Sequence, residues 1–193
     1  VTFTDFLNLN EQNMLATLKL RQMGVSVKLF GGYDHAERQM AAFYPGTVGF
    51  GFSWEYPIDC LKITPKALRF SEELGHRDYL GAILNLGVDR SVVGDILIKD
   101  KEAWVFCLHK MSDFFIDNLV RVRHTTVLVT RVEQAEEIPE PQFEAISGTC
   151  ASVRLDSLIG LAFQTSRSSM VSFIESGLVF VNGKLITSNG YEP

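Results

Sequence analysis

Apolar residues from position 58 onward switch between the two-residue period of strands and the longer period of helices. The pattern predicts strands over residues 60–64, 95–99, 103–109 and 123–132. It predicts helices starting near Ser71 and Ser112, where hydroxyl and acidic residues favour a helix N-terminus. The resulting β-α-β-β-α-β order is that of the ferredoxin-like, or split βαβ, arrangement, so the sequence predicts an α+β fold class.

The residues before this region predict a helical and strand extension. A helix is expected from Asp5 to Gly24, followed by a strand over Val25–Phe30. Gly31 and Gly32 predict a tight turn, and a second helix is expected up to Pro45. Its apolar positions are Ala36, Met40, Ala41 and Phe43. Residues 47–56 are rich in glycine and aromatic residues and receive no assignment.

The last third of the chain predicts a small module of two helices and a β-hairpin. Leu155, Leu158, Ile159, Ala162 and Phe163 follow the spacing of a one-sided helix. A second helix is expected after Ser166, with Met170, Phe173 and Ile174 on its apolar face and Gly177 at its end. Asn182-Gly183 between two short apolar runs is a strong hairpin signal.

Charge divides the chain into the same parts. The net charge is −5, yet residues 1–132 carry 15 basic and 15 acidic residues, and residues 148–193 carry three of each. The excess therefore lies in five glutamates of residues 133–147, which surround Pro139 and Pro141 and predict an extended acidic linker. The predicted domains are residues 1–132 and 148–193, and the acidic total does not argue against an RNA partner.

Composition excludes several classes of protein. No run of about 18 apolar residues is present, so no membrane partner is expected. Three widely spaced cysteines and four scattered histidines show no metal-ligand spacing, so no metal or other cofactor is expected. Free cysteines fit a reducing, cytoplasmic compartment. The chain begins at Val1 without a leader pattern, and we expect a trimmed or partly ordered chain.

The C-terminal module carries a set of residues suited to phosphate. A helix N-terminus with exposed N–H groups, hydroxyls and a guanidinium favours an anion. The candidate RNA-binding residues of the module are Arg154, Ser166, Arg167, Ser168, Ser169, Asn182 and Lys184. Two plainer interpretations remain open: Arg154 and Asp156 as a salt bridge that fixes the helix start, and Ser166 as a helix cap.

These residues also carry a resemblance. Arg154-Leu155-Asp156, Ser166-Arg167 and the run from Ile174 to Lys184 resemble the RNA-binding domain named after ribosomal protein S-four. The resemblance implies a clamp for structured RNA. Arg-Leu-Asp also occurs in pseudouridine synthases, but there a glycine precedes the arginine, whereas Val153 precedes it here.

A second resemblance covers nearly the whole chain. Residues 31–38, with Gly31, Gly32, Tyr33 and Arg38, and residues 75–96, with Arg77, Arg90 and Asp95, resemble the YlmH family. The resemblance implies a bacterial, ribosome-associated RNA-binding protein without catalysis, encoded among cell-division genes. It implies ribosomal RNA or tRNA and the large ribosomal subunit as partners, and a role in rescuing stalled large subunits.

The first domain adds further candidates. Arg77, Arg90, Arg121 and Arg123 are candidate RNA contacts, and His124 and Arg131 belong to the same basic stretch as the last two. Trp104, Phe106 and Leu108 alternate to one strand face, which predicts either core under the helices or a base-stacking surface.

Three functions follow from these observations. The leading hypothesis is non-enzymatic binding of structured RNA, with no small-molecule substrate. The alternatives are an RNA-modifying enzyme, for which His76, Arg77, Asp78 and Asp95 are the densest reactive set, and a cell-division scaffold.

Overall fold

The computed structural model describes residues 1–47, 54–134, 137–140, 144–150 and 152–193. Contacts divide the chain into two compact units. Unit 1 comprises Val1–Asn8 and Leu15–Glu140, and unit 2 comprises Leu9–Met14 and Pro141–Pro193.

Unit 1 is built on a five-stranded antiparallel sheet and two helices. Their bounds are β4 Ile58–Pro65, α2 His76–Leu84, β5 Val93–Lys99, β6 Glu102–Leu108, α3 Ser112–Asn118, β7 Arg121–Val122 and β8 Thr125–Arg131. The strand order is β5-β6-β4-β8-β7. An apolar cluster around Tyr79 of α2 and Phe115 of α3 joins the helices to alternate residues of the strands.

A second antiparallel sheet of unit 1 has the order β1-β3-β2. Its strands are β1 Thr2–Leu7, β2 Val25–Phe30 and β3 Gln39–Pro45. Phe6 and Met40 from this sheet pack with Trp104, Phe106 and Leu108 of β6. Since successive strand residues point to opposite faces, β6 contributes to two cores, one with the helices and one with the second sheet.

Two sequence predictions in this region are wrong. Residues 2–7 form a strand, and helix α1 begins only at Leu9 and ends at Thr17, so Asp5 is not its cap. Residues 39–45 form strand β3 instead of a helix. Ala41 and Ala42 are fully buried in this central strand, and an apolar run buried on both faces lacks the alternation that distinguishes a strand.

The start of α2 also differs from its prediction. Gly75, not Ser71, is the N-cap residue, and its backbone N–H donates to Asp78 Oδ2 at 2.9 Å. Of the predicted linker, the described residues form no α-helix or strand, and Ile138 packs against the cluster that contains Trp104 and Phe106. Pro141 lies outside the described residues.

Unit 2 contains the predicted helices and hairpin. They are α4 Leu155–Ala162, α5 Arg167–Glu175, β9 Phe180–Val181 and β10 Lys184–Leu185. Leu155, Ile174 and Ile186 form its core. Asn182 and Gly183 have φ values of 48° and 75°, as a two-residue hairpin turn of this kind requires.

Candidate nucleic-acid interface

The buried carboxylate of Asp156 joins the two arginines of the C-terminal module. Asp156 Oδ2 lies 3.2 Å from Arg154 Nη2 and 2.7 Å from Arg167 Nε. The Asp156 side chain is 1% exposed, whereas those of Arg154 and Arg167 are 34% and 53% exposed. The salt-bridge interpretation of Arg154 and Asp156 is therefore observed, and it extends to Arg167.

The ionisation of Asp156 follows from these contacts. Burial alone would raise the pKa of Asp156, but hydrogen bonds and charge from Arg167 and Arg154 outweigh it, and the pKa lies below its ordinary value. Asp156 therefore stays ionised at neutral pH and holds both guanidinium groups, each with part of its surface facing solvent.

Helix α5 begins beside this cluster. Ser166 is the N-cap, and its hydroxyl accepts the Ser169 backbone N–H at 3.2 Å. The hydroxyls of Ser168 and Ser169 lie 3.0 Å and 2.7 Å from that of Ser166, and all three serines are exposed. The capping prediction is confirmed, and the first turn of α5 presents hydroxyl groups together with the Arg167 guanidinium.

Among the described residues, the hairpin residues form no ion pair with the arginine cluster. Lys184 is exposed at the start of β10, and no described ion pair links it to Asp156. The Asn182 carbonyl accepts a hydrogen bond from the Asn13 side chain within unit 2. A Cβ on Gly183 would come within 2.5 Å of the Asn10 backbone nitrogen, so the turn is closely packed on one side.

In unit 1, the structure brings together three of the predicted arginines. Arg77, Arg121 and Arg123 line one open surface depression of about 540 Å³ between α2 and the segment leading into β7. We call this feature the arginine depression. Arg123 also forms ion pairs with Glu72 at 3.9 Å and Asp78 at 3.4 Å.

Arg90 does not belong to this group. It lies in a short 3-10 helix, Arg90–Val92, and its guanidinium donates to the carbonyl groups of Val93 and Gly94. Burial and the nearby Arg38 charge lower the pKa of Arg90 to about 10. These contacts give Arg90 a structural role, and we leave it out of the proposed interface.

The aromatic residues of β6 are core, but not under the helices. Trp104 and Phe106 are 5% and 1% exposed and pack with Phe6 and Met40 of the second sheet. Their burial removes the base-stacking interpretation. The β6 residues that pack with helix residues are Ala103, Val105 and Cys107.

The two motifs of the second resemblance meet around Asp95. Its carboxylate accepts the Tyr33 hydroxyl at 2.9 Å and the backbone N–H groups of Glu37 and Arg38 at 2.6 and 3.0 Å. Tyr33 stacks on Phe106 with ring centroids 4.9 Å apart, and burial with the Asp95 contact raises the pKa of Tyr33. Asp95 therefore fastens the turn predicted at Gly31-Gly32, while Asp78 caps α2, so the two acids belong to separate networks.

Sequence reasoning missed the polar cluster around Asp59. Asp59 accepts the Ser112 hydroxyl and lies 3.0 Å from His109 Nδ1 and 3.0 Å from Arg131 Nε. Burial would raise the pKa of Asp59, but these partners lower it below its ordinary value. The available signal was an acidic residue directly before the strand predicted over residues 60–64. Among the described residues, no group of three or more potential ligands could hold a metal ion.

A protein-family model matches part of unit 1. Residues 54–136 match the family model described as "Putative RNA-binding domain in YlmH". In the described part of the chain no helix has the length and apolarity to cross a membrane. The molecule is thus a mixed α/β protein in which residues 54–136 are similar to the domain that this model describes.

Two individual proteins are also similar to this chain. The chain is 27% identical over 192 residues to "Ribosome-associated protein quality control protein P2" of Bacillus subtilis (strain 168), covering 97% of this chain and 72% of the relative. The solved structure of "Cell division protein ylmH from Streptococcus pneumoniae" is similar with a TM-score of 0.56 and 25% identity. That similarity covers 72% of this chain and 82% of the other.

Proposed function

We propose that this protein binds structured RNA without catalysis and does so in association with the ribosome in the cytoplasm. The observation that carries the proposal is the pair of partly exposed guanidinium groups held by Asp156 beside the serine-capped start of α5. Arginine is suited to phosphate because its planar donors can engage two oxygens at once. The match of residues 54–136 to an RNA-binding model supports the same function for unit 1.

The arrangement explains how a neutral module can hold an anion. Asp156 offsets one of the two arginine charges, and it also fixes both side chains on one buried atom. Because the two side chains are already held in place, phosphate binding costs less of their conformational entropy. The first turn of α5, whose residues Arg167 and Ser168 are exposed, adds the positive end of the helix dipole.

Finer features of the proposal rest on resemblance and fold. The strand order β5-β6-β4-β8 with α2 and α3 supports a ferredoxin-like domain, and the α4-α5-hairpin order supports an S-four-type module after residue 147. The name of the Bacillus relative supports a role in ribosome-associated quality control. We accordingly propose ribosomal RNA or tRNA, on the large subunit, as the partners.

Ribosome co-sedimentation and RNA titration test the proposal. Arg167→Ala and Lys184→Ala should each weaken RNA binding, and each should reduce the slope of log affinity against log salt by about 0.7 to 0.9 per lost phosphate contact. Arg21→Ala is the matched control, because Arg21 is an exposed arginine outside the proposed surfaces.

Three results would contradict the proposal. Binding by both module variants that is indistinguishable from that of Arg21→Ala would remove unit 2 from the interface. Conversion of any nucleoside in RNA by the pure protein would show an enzyme instead, and retention of cell-division partners without RNA would favour a scaffold.

A further inference from the structure

The arginine depression has an unusual balance of charges. Arg77 and Arg121 are exposed, and within the described residues neither forms an ion pair. Asp78 is the acid among the lining residues, and it is already occupied by the Gly75 N–H and by Arg123. Two guanidinium groups therefore face the depression without a counter-ion from the protein.

A glycine keeps one wall of the depression open. Gly81 lies inside α2, where glycine is less favourable than alanine. A Cβ built on Gly81 meets no atom within 4 Å, so no close packing explains the glycine. By contrast, a Cβ on Gly32 or Gly94 would run into an aromatic ring. The space beside Gly81 is thus available for a ligand.

The backbone at Arg123 is a second special feature. Arg123 has φ 51° in the turn between β7 and β8, a region that favours glycine or asparagine. Ion pairs with Glu72, which precedes α2, and with Asp78 of α2 hold the side chain. Arg123 also lines the depression, so these ion pairs keep a third guanidinium at its rim.

The other residues that line the depression have mainly apolar or amide side chains. Val120 is 60% exposed, Leu86 also lines the depression, and the Asn85 side chain lies beside them. An apolar surface can receive the face of a base, and an asparagine amide can pair with a base edge. The volume of about 540 Å³ lies within the range of about 300 to 1,000 Å³ typical of small-ligand sites.

We propose that the arginine depression binds one unpaired nucleotide of an RNA chain. The phosphate lies between Arg77 and Arg121, the base covers Leu86 and Val120, and Asn85 contacts the base edge. This inference rests on the proposed RNA-binding function and deepens it, because it assigns to unit 1 the recognition of a single-stranded position.

The first test fills the depression without removing a charge. The probe is a fluorescein-labelled RNA hairpin with a six-nucleotide loop, titrated against the full chain. Gly81→Leu should weaken binding about tenfold or more, because a base stack is lost. Gly81→Ala should stay within about twofold of the unchanged protein, since one methyl group leaves most of the space open. Equal binding by the two variants would overturn the proposal.

The second test removes charge at the rim. Arg77→Ala and Arg121→Ala should each lower the salt slope by about 0.7 for a single-stranded contact. Arg21→Ala should leave the slope unchanged. Should either rim variant match Arg21→Ala, the phosphate placement would be wrong.

Three further probes distinguish the ligand. A fully paired RNA of equal charge should bind equally to Gly81→Leu and Gly81→Ala. AMP should fail to displace the hairpin at concentrations where the unlabelled hairpin does, and poly-glutamate should not compete. Displacement by AMP at equal concentration would indicate that the ligand is a free nucleotide. Competition by poly-glutamate would indicate that the ligand is an acidic protein surface. Either result would overturn the proposal.

The two proposals can fail separately. Loss of binding in Arg167→Ala with normal binding in Gly81→Leu would leave the RNA-binding function intact and remove the depression. The reverse pattern would retain the depression and remove the C-terminal surface. Absence of RNA binding by the unchanged protein would reject both.

Discussion

At the scale of single residues, Asp156 has the largest influence on the C-terminal surface. Its Oδ2 atom is the acceptor for both Arg154 and Arg167, and its Oδ1 atom accepts the Ser157 hydroxyl at 3.2 Å. A buried charge with three partners is stabilising only while the partners remain. The same contacts that stabilise unit 2 thus position the groups proposed to meet phosphate.

Replacing this carboxylate tests both roles. Asp156→Asn should lower the thermal unfolding temperature of unit 2, because a neutral amide offsets none of the charge of the two guanidinium groups. Its RNA affinity should fall despite the gain of positive charge, since the arginines lose their fixed positions. Glu175→Gln is the control, because Glu175 is an exposed acid of the same module. Tighter RNA binding by Asp156→Asn would show that Asp156 only screens the arginines.

The pH dependence of the same stability follows from the pKa of Asp156. Because the folded pKa lies below the unfolded value of about 3.9, the stabilisation is fully present above that value. It is lost as the pH falls through the lowered folded pKa. Acid titration followed by circular dichroism should therefore show a shallower acid loss of stability in Asp156→Asn than in the unchanged protein.

At the scale of elements, the five-stranded sheet and the C-terminal module were predictable because their sequence patterns are local. Strand β8 alternates between buried and exposed residues, and Asn182-Gly183 is a turn signal that identifies the hairpin. Strand β3 was not predictable, since Met40, Ala41 and Ala42 also favour a helix and are buried on both faces. The arginine depression was not predictable either, because it depends on how α2 lies beside β7.

The glycines of unit 1 offer a test at the element scale. Gly32 has φ 101°, and its added Cβ would come within 2.4 Å of the Phe106 ring. Gly32→Ala should therefore cost about 1 to 3 kcal/mol of unfolding free energy, or more, because overpacking and backbone strain act together. Gly81→Ala should instead stabilise unit 1 by up to about 1 kcal/mol.

Urea denaturation of both variants measures this difference. Both substitutions replace glycine with alanine, so the added methyl group by itself cannot account for opposite changes in the free energy of unfolding. Equal stability of Gly32→Ala and the unchanged protein would contradict the tight packing of the turn against β6.

At the scale of the whole molecule, acidic and basic residues are unevenly distributed along the chain. The five acidic residues of the predicted linker stand between two parts that are each neutral overall. Within those parts, basic groups collect at the arginine depression and at the start of α5. Two modest contacts on one chain can give high affinity, because the second contact forms at a high effective concentration.

Simultaneous contact can be measured by combining one variant from each unit. We expect Arg121→Ala and Arg167→Ala together to lower the salt slope by about 1.4 to 1.6, the sum of the two single effects. Their affinity losses should multiply, since substitutions at independent sites add in free energy. Titrations of one hairpin RNA at several salt concentrations supply both quantities, with Arg21→Ala added to each single variant as the control. A double variant no weaker than the weaker single variant would mean that only one of the two surfaces contacts the RNA.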